Sequence, residues 1–196
     1  MNGILRRRRA AMAAKKENHL VYGLYSQAIE SGDYVDTGMS IWKSGQAVTV
    51  LLDFQQDVNP SGTNVYGRNY RLLYFKNTPA NKTCLSIGKK NQGDNRLSCF
   101  YMAVEHDMTN TSTATGRQRI CVTHEANSKT VNIKYKKANG TLYEFSYSET
   151  FTAAPDDTFK LGASADSAYS LPPGTITKAE IYDTILDSAA IDAFFA

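Results

Sequence analysis

Short runs in which apolar and polar residues alternate recur along this chain, and turn-forming clusters separate them. Val48 to Phe54, Tyr70 to Phe75, Thr83 to Ile87, Cys99 to Val104, Arg117 to His124, Thr130 to Tyr135, Leu142 to Tyr147 and Thr158 to Leu161 are short, aromatic-rich and β-branched. That pattern predicts strands. Leu20 to Tyr25 opens the ordered body in the same way. Asn59-Pro60-Ser61-Gly62, Asn91-Gln92-Gly93-Asp94, Asn110 to Gly116 and Ala138-Asn139-Gly140 fall between the runs as turns. Lys137-Ala138-Asn139-Gly140-Thr141 joins two alternating runs and predicts a hairpin.

The end of the chain reads as a strand followed by a short helix. Ile176, Lys178, Glu180 and Tyr182 alternate with Thr175, Thr177, Ala179, Ile181 and Asp183. Ser188 stands where an N-cap is expected, with Ile191, Phe194 and Phe195 at helical spacing behind it. About ten strands at this spacing, with one terminal helix, make an antiparallel sandwich.

Three patches carry a family resemblance. The C-terminal strand and helix resemble the closing signature of concanavalin A-like (laminin G-like) jelly rolls. Ser31-Gly32-Asp33-Tyr34-Val35-Asp36-Thr37-Gly38 is similar to the opening of the same fold, and Gln118 to His124, Val131 to Tyr135 and Phe159 to Ala163 to its inner strands. The resemblance implies an all-β jelly roll over residues 19–196. It further implies that Tyr34 points inward and that the terminal helix caps one open end of the sandwich.

Composition divides the chain in two. Of 22 Lys+Arg, six lie in Met1 to Lys16 (Arg6, Arg7, Arg8, Arg9, Lys15 and Lys16), which holds no acid. The remaining sixteen face 19 Asp+Glu, so Glu17 to Ala196 carries a formal charge of −3. Residues 1–18 thus read as a basic arm on a mildly acidic body, which argues against a globally basic nucleic-acid-binding domain. Cys84, Cys99 and Cys121 are odd in number and lack a CxxC, so they read as small buried apolar residues in a reducing compartment. No apolar run approaches a membrane span, and the arm is too charged for a secretory signal.

The candidate chemistry is sparse. Glucan-cleaving relatives of the resembled fold carry Glu-x-Asp-x-x-Glu on one strand. Glu105-His106-Asp107-Met108-Thr109-Asn110 matches it only in part and reads as a solvated loop start. Calcium-binding relatives use loop oxygens, for which Asp156-Asp157, Asp94-Asn95 and Asp107 are available; no Asp-x-Asp-x-Asp-Gly loop exists, and no cofactor is expected. His19, His106 and His124 lack metal-ligand spacing. Tyr66, Tyr70, Tyr74, Phe75, Tyr101, Tyr143, Phe145 and Tyr147 lie on or beside candidate strands, as core residues or as faces that stack on sugars.

A short basic start before a jelly roll also resembles small phage and prophage proteins. That implies a non-enzymatic virion-associated structural, decoration or receptor-binding protein, made in the bacterial cytoplasm. Its arm would dock to capsid or tail proteins and its sandwich would face cell-surface or mucus glycans, with a homo-oligomer as an option. The alternatives are a lectin-like carbohydrate-binding module without a virion role and, third, a glycoside hydrolase. The four arginines cannot enter a sandwich core unpaired, so the arm is expected to project from the body.

Overall fold

The computed structural model describes residues 20–30, 34–39, 46–57, 71–77, 82–91, 94–111, 115–150, 158–162 and 173–196. In chain order the strands are β1 (Leu20–Ile29), β2 (Val35–Asp36), β3 (Val48–Gln56), β4 (Arg71–Asn77), β5 (Lys82–Asn91), β6 (Asp94–Tyr101), β7 (Val104–Asp107), β8 (Gly116–His124), β9 (Thr130–Lys136), β10 (Leu142–Ser148), β11 (Lys160–Leu161) and β12 (Gly174–Tyr182). Helix α1 (Ser188–Phe195) closes the chain. They form two six-stranded antiparallel sheets, ordered β1-β12-β3-β8-β9-β10 and β2-β11-β4-β5-β6-β7. The chain is therefore an all-β antiparallel sandwich with a short C-terminal helix, as its alternation predicts.

Alternation explains the core. Val50, Leu52 and Phe54 of β3, Ile120 and Val122 of β8, and Val131, Ile133 and Tyr135 of β9 turn one way. They meet Leu85 and Ile87 of β5 and Leu97, Cys99 and Tyr101 of β6. Burying each large side chain is worth roughly 1.5–3 kcal/mol, so this layer is the principal stabilising term. At one end of the layer a buried polar chain is satisfied internally. Tyr135 donates to Gln118 at 2.9 Å, and Gln118 donates to Gln56 at 2.8 Å.

Several expectations are corrected by the structure. The run Cys99 to Val104 is broken, because Met102 and Ala103 take left-handed φ of 48° and 68° and turn β6 into β7. The opening strand is β1, and β2 pairs instead with β11 in the second sheet. Tyr34 is 52% exposed; Val35 packs on the core in its place, since adjacent side chains take opposite faces. Ile176 and Tyr182 share β12 but not a face. A register irregularity between Ile176 and Lys178 shifts the alternation, so Ile176, Ala179 and Ile181 face the core.

The helix does not cap an open end. It lies on the outer face of the first sheet, where Ile191 and Phe195 pack with Leu51 of β3 and Cys121 of β8. Its N-cap is Asp187, not Ser188. The Asp187 carboxylate accepts from the Ala190 amide at 2.7 Å, which a residue one position later in the helix does not do here. The lead-in is pinned by Thr49, whose hydroxyl donates to Thr184 O at 2.8 Å and accepts from Leu186 N at 3.1 Å.

Beside the helix, Glu180 collects three donors. Tyr25 reaches it at 2.6 Å, Tyr182 at 2.7 Å and the Lys178 ammonium at 2.8 Å. Burial pushes the Glu180 carboxyl up, but Lys178, Tyr25 and Tyr182 outweigh it and hold the group below the ordinary carboxylate value. Burial and the bond to Glu180 push the Tyr25 phenol up to about 12.

Two outcomes follow from this packing. A Cβ at Gly174 would run into the Gln55 carbonyl oxygen of the adjacent strand. Gly174→Ala should therefore cost about 1–3 kcal/mol in chemical denaturation, and an unchanged midpoint would contradict the close approach of β12 to β3. Because the folded Glu180 titrates below its unfolded value, its stabilisation is complete above the unfolded value and fades as pH falls through the folded one. Glu180→Gln should lower the melting temperature at neutral pH. The gap to wild type should close below about pH 4, and a gap that persists there would contradict the assignment.

Candidate functional site

The outer face of the first sheet carries a row of charges set by register. Lys178 of β12 pairs with Asp53 of β3, Asp53 with Arg119 of β8, and Arg119 with Lys136 of β9. Arg117, two residues from Arg119, joins them on the same face. The Asp53 carboxylate is nearly buried and accepts a fork from Arg117: Nε to Oδ1 at 2.8 Å, and Nη2 to Oδ2. Arg119 Nε stands 3.4 Å from the same Oδ2, so one carboxylate serves two guanidiniums. The bond to Asp53 raises the Arg117 pKa further.

Past the end of this row lies a shallow cup of about 150 Å³, lined by Arg117, Arg119, Lys136, Lys137, Ala138, Gly140 and Ala196. The β9–β10 hairpin builds its rim. Gly140 has φ of 86°, a conformation that glycine adopts without strain, and its amide donates to Lys137 O at 2.9 Å. Lys136 donates to the Phe195 carbonyl at the end of α1. Four cationic residues line the cup together with Ala196, and Asp53 pairs with two of them, Arg117 and Arg119.

The second feature is a ladder of rings on the edge strand β10. Tyr143, Phe145 and Tyr147 alternate along one face and are half-buried. Their centroids are 6.5 and 6.1 Å apart and their planes lie within 16°. Tyr135 continues the ladder at one end and His106 of β7 at the other, the latter stacked on Tyr147 at 4.4 Å. Tyr147 also donates to the Asp107 carbonyl at 3.0 Å, and His106 lies 3.1 Å from Glu149. These contacts tie the edge of one sheet to the edge of the other. The Lys137 ammonium lies 5.6 Å over the Tyr143 ring, so cup and ladder share a residue.

Other anticipated groups fall elsewhere. Arg6, Arg7, Arg8, Arg9, Lys15 and Lys16 lie outside the described residues, as do His19, Tyr66, Tyr70, Asp156 and Asp157. Glu105 and Asp107 stand on the short edge strand β7 rather than at a loop start, and both are exposed. His106 between them faces the opposite way, toward Tyr147. Tyr74, Tyr101 and His124 are buried. All three cysteines are buried, and burial pushes the Cys121 thiol up to about 12 and the Cys99 thiol higher still, so neither is a ready nucleophile. Among the described residues no group of three His, Cys, Asp or Glu could hold a metal ion, and no helix is long and apolar enough to cross a membrane. The cup residues were not anticipated from the sequence. The signal was present in Arg117-Gln118-Arg119 and in Lys134 and Lys136, which alternation puts on one face each.

No protein-family model matches the chain, and no curated protein matches it in sequence. Solved structures do match its fold. The CBM40 carbohydrate-binding module of the Ruminococcus gnavus IT-sialidase, in a structure bound to α2,3 sialyllactose, is 14% identical at a TM-score of 0.63. That match covers 90% of this chain and 99% of the module. The same module bound to α2,6 sialyllactose gives 13% identity and a TM-score of 0.61, over 90% of this chain and all of the module. A leech intramolecular trans-sialidase is 12% identical at a TM-score of 0.62; the match covers 91% of this chain and only 28% of the leech protein. At these identities what is shared is the two-sheet fold.

Proposed function

We propose that this chain is a non-enzymatic carbohydrate-binding module. One observation carries the reading: the fold match takes in the carbohydrate-binding module of a sialidase from end to end, but only about a quarter of the leech enzyme. The ladder on β10 supports it, because partly exposed rings with near-parallel planes offer apolar surface against which a pyranose ring can pack. A glycoside hydrolase needs two carboxyl groups facing each other across a bound sugar. Glu105 and Asp107 instead stand in the open on an edge strand.

The basic arm motivates an addition to this reading. Arg6 to Arg9 with Lys15 and Lys16 would dock the module to the capsid or tail of a bacteriophage particle and leave the sandwich facing outward. Its support is the charge of the arm and the resemblance to phage proteins. Deleting residues 1–16 should leave the melting temperature unchanged and abolish incorporation into particles; full incorporation would remove the arm as an anchor.

Titration against a panel of neutral and acidic oligosaccharides tests the module itself. Saturable binding is expected, weakened at least about tenfold in Tyr143→Ala and Phe145→Ala while the protein stays folded. Absence of binding across the panel, or turnover of any member, would overturn the reading.

A further inference from the structure

We infer that the cup at the hairpin end of the first sheet is an anion-binding site, and that its ligand is an oxyanion carried by a glycan, either a sulfate ester or a carboxylate. The inference rests on the module reading only for the carrier, since the cup's own chemistry speaks for the anion. Four cationic side chains, Arg117, Arg119, Lys136 and Lys137, converge there from two adjacent strands and a hairpin. Coulomb repulsion among them is offset in part by Asp53, which is already engaged by the fork from Arg117, and by the α-carboxylate of Ala196 at the cup's edge.

Arg119 has donors to spare for a ligand. Its side chain is only 14% exposed, and Asp53, at 3.4 Å from Nε, is its ionic partner among the described residues. No hydrogen bond from its terminal nitrogens reaches a described residue, although a guanidinium carries five donors in a fixed fork. That fork matches the spacing of two oxygens on a sulfate or carboxylate and makes short, charge-assisted bonds to them. Lys136 and Lys137 add point charges at the rim, with Lys136 held by the end of α1 and Lys137 over Tyr143. Lys137 thereby connects the anion site to the ring ladder, so one saccharide could present its charged substituent to the cup and a ring near Tyr143.

The cup is lined by aliphatic stems and backbone besides these charges, and it is shallow. A tetrahedral or planar oxyanion on a sugar ring fits such a depression; a nucleobase would need a stacking partner inside it. A polyanion held by diffuse attraction alone would bind in proportion to its charge and without regard to its saccharide.

The experiment uses the full chain and four probes: sodium sulfate against sodium chloride at equal ionic strength, a sulfated oligosaccharide, sialyllactose and lactose. Thermal shift reads the inorganic ion and calorimetry reads the saccharides. Sulfate should raise the melting temperature of the wild type more than chloride does. At least one acidic saccharide should bind at least about tenfold more tightly than lactose, and which one binds identifies the sulfate or the carboxylate as the source. Arg119→Gln with Lys136→Gln should remove both effects and leave lactose binding as it was. Lys136→Gln, which leaves the Asp53 pairs intact, should weaken them in part and guards against a folding defect in the double variant.

Equal binding of acidic and neutral saccharides by the wild type would overturn the inference while leaving the module reading in place. Acidic binding that survives the double variant, or binding of any polyanion in proportion to charge, would also overturn it. A sulfate shift that the double variant loses, with no saccharide bound at all, would keep the anion site and sink the glycan as its carrier.

Discussion

Strand β3 is buried on both faces, and the rest of the molecule is arranged around that fact. Eight of its nine residues are inaccessible, so it needs a layer on each side. Val50, Leu52 and Phe54 are covered by the second sheet, and Leu51 is covered by α1 together with Cys121 of the neighbouring strand. A sheet whose outer face were wholly polar would need no such cover. Here two apolar positions break that face, and the hydrophobic effect places the last helix over them. The hydroxyl of Thr49, also on β3, holds the segment that leads into it.

Covering the middle of the outer face divides what remains. On the β1 side, Glu180 is surrounded by Tyr25, Tyr182 and Lys178, and its charge is fully met. Lys178 also lies 5.9 Å over the Phe194 ring, which links this network to the helix. On the hairpin side the balance is the reverse, with one buried acid and several cations. A polar group as inaccessible as Asp53 needs hydrogen-bonding partners, and Arg117 and Arg119 supply them from the adjacent strand. The surplus cations are left facing a depression. The two sides thus differ in whether the charges of the fold satisfy one another, and that difference marks one of them as a place for a ligand.

The edges of the sheets have their own logic. An exposed edge strand is prone to pair with another chain. β7 has only four residues, three of them exposed, and its inward-facing His106 stacks on Tyr147 of β10. That contact closes the side of the sandwich at one end of β10. The rings of Tyr143 and Phe145 remain half-covered, which is what makes them a surface as well as a part of the core. Their spacing follows from the two-residue repeat of a strand and requires no special device.

Local pattern was enough to place most strands, the β9–β10 hairpin and the terminal helix, because period-two burial and turn chemistry act over a few residues. Val131, Ile133 and Tyr135, or Tyr143, Phe145 and Tyr147, show their faces in sequence. Where local rules fail, a longer-range contact overrides them. The irregularity in β12 that turns Tyr182 outward is a matter of its pairing with β3, and Asp187 rather than Ser188 caps α1 because of where the chain leaves the sheet. The cup was illegible for the same reason. Asp53, Arg117, Arg119, Lys136 and Lys137 span 85 positions of sequence, and a formal charge of −3 for the body conceals them. Sequence determined the faces of each strand; only sheet order and register decided which faces became neighbours, since electrostatic and packing energies depend on distance in space rather than along the chain.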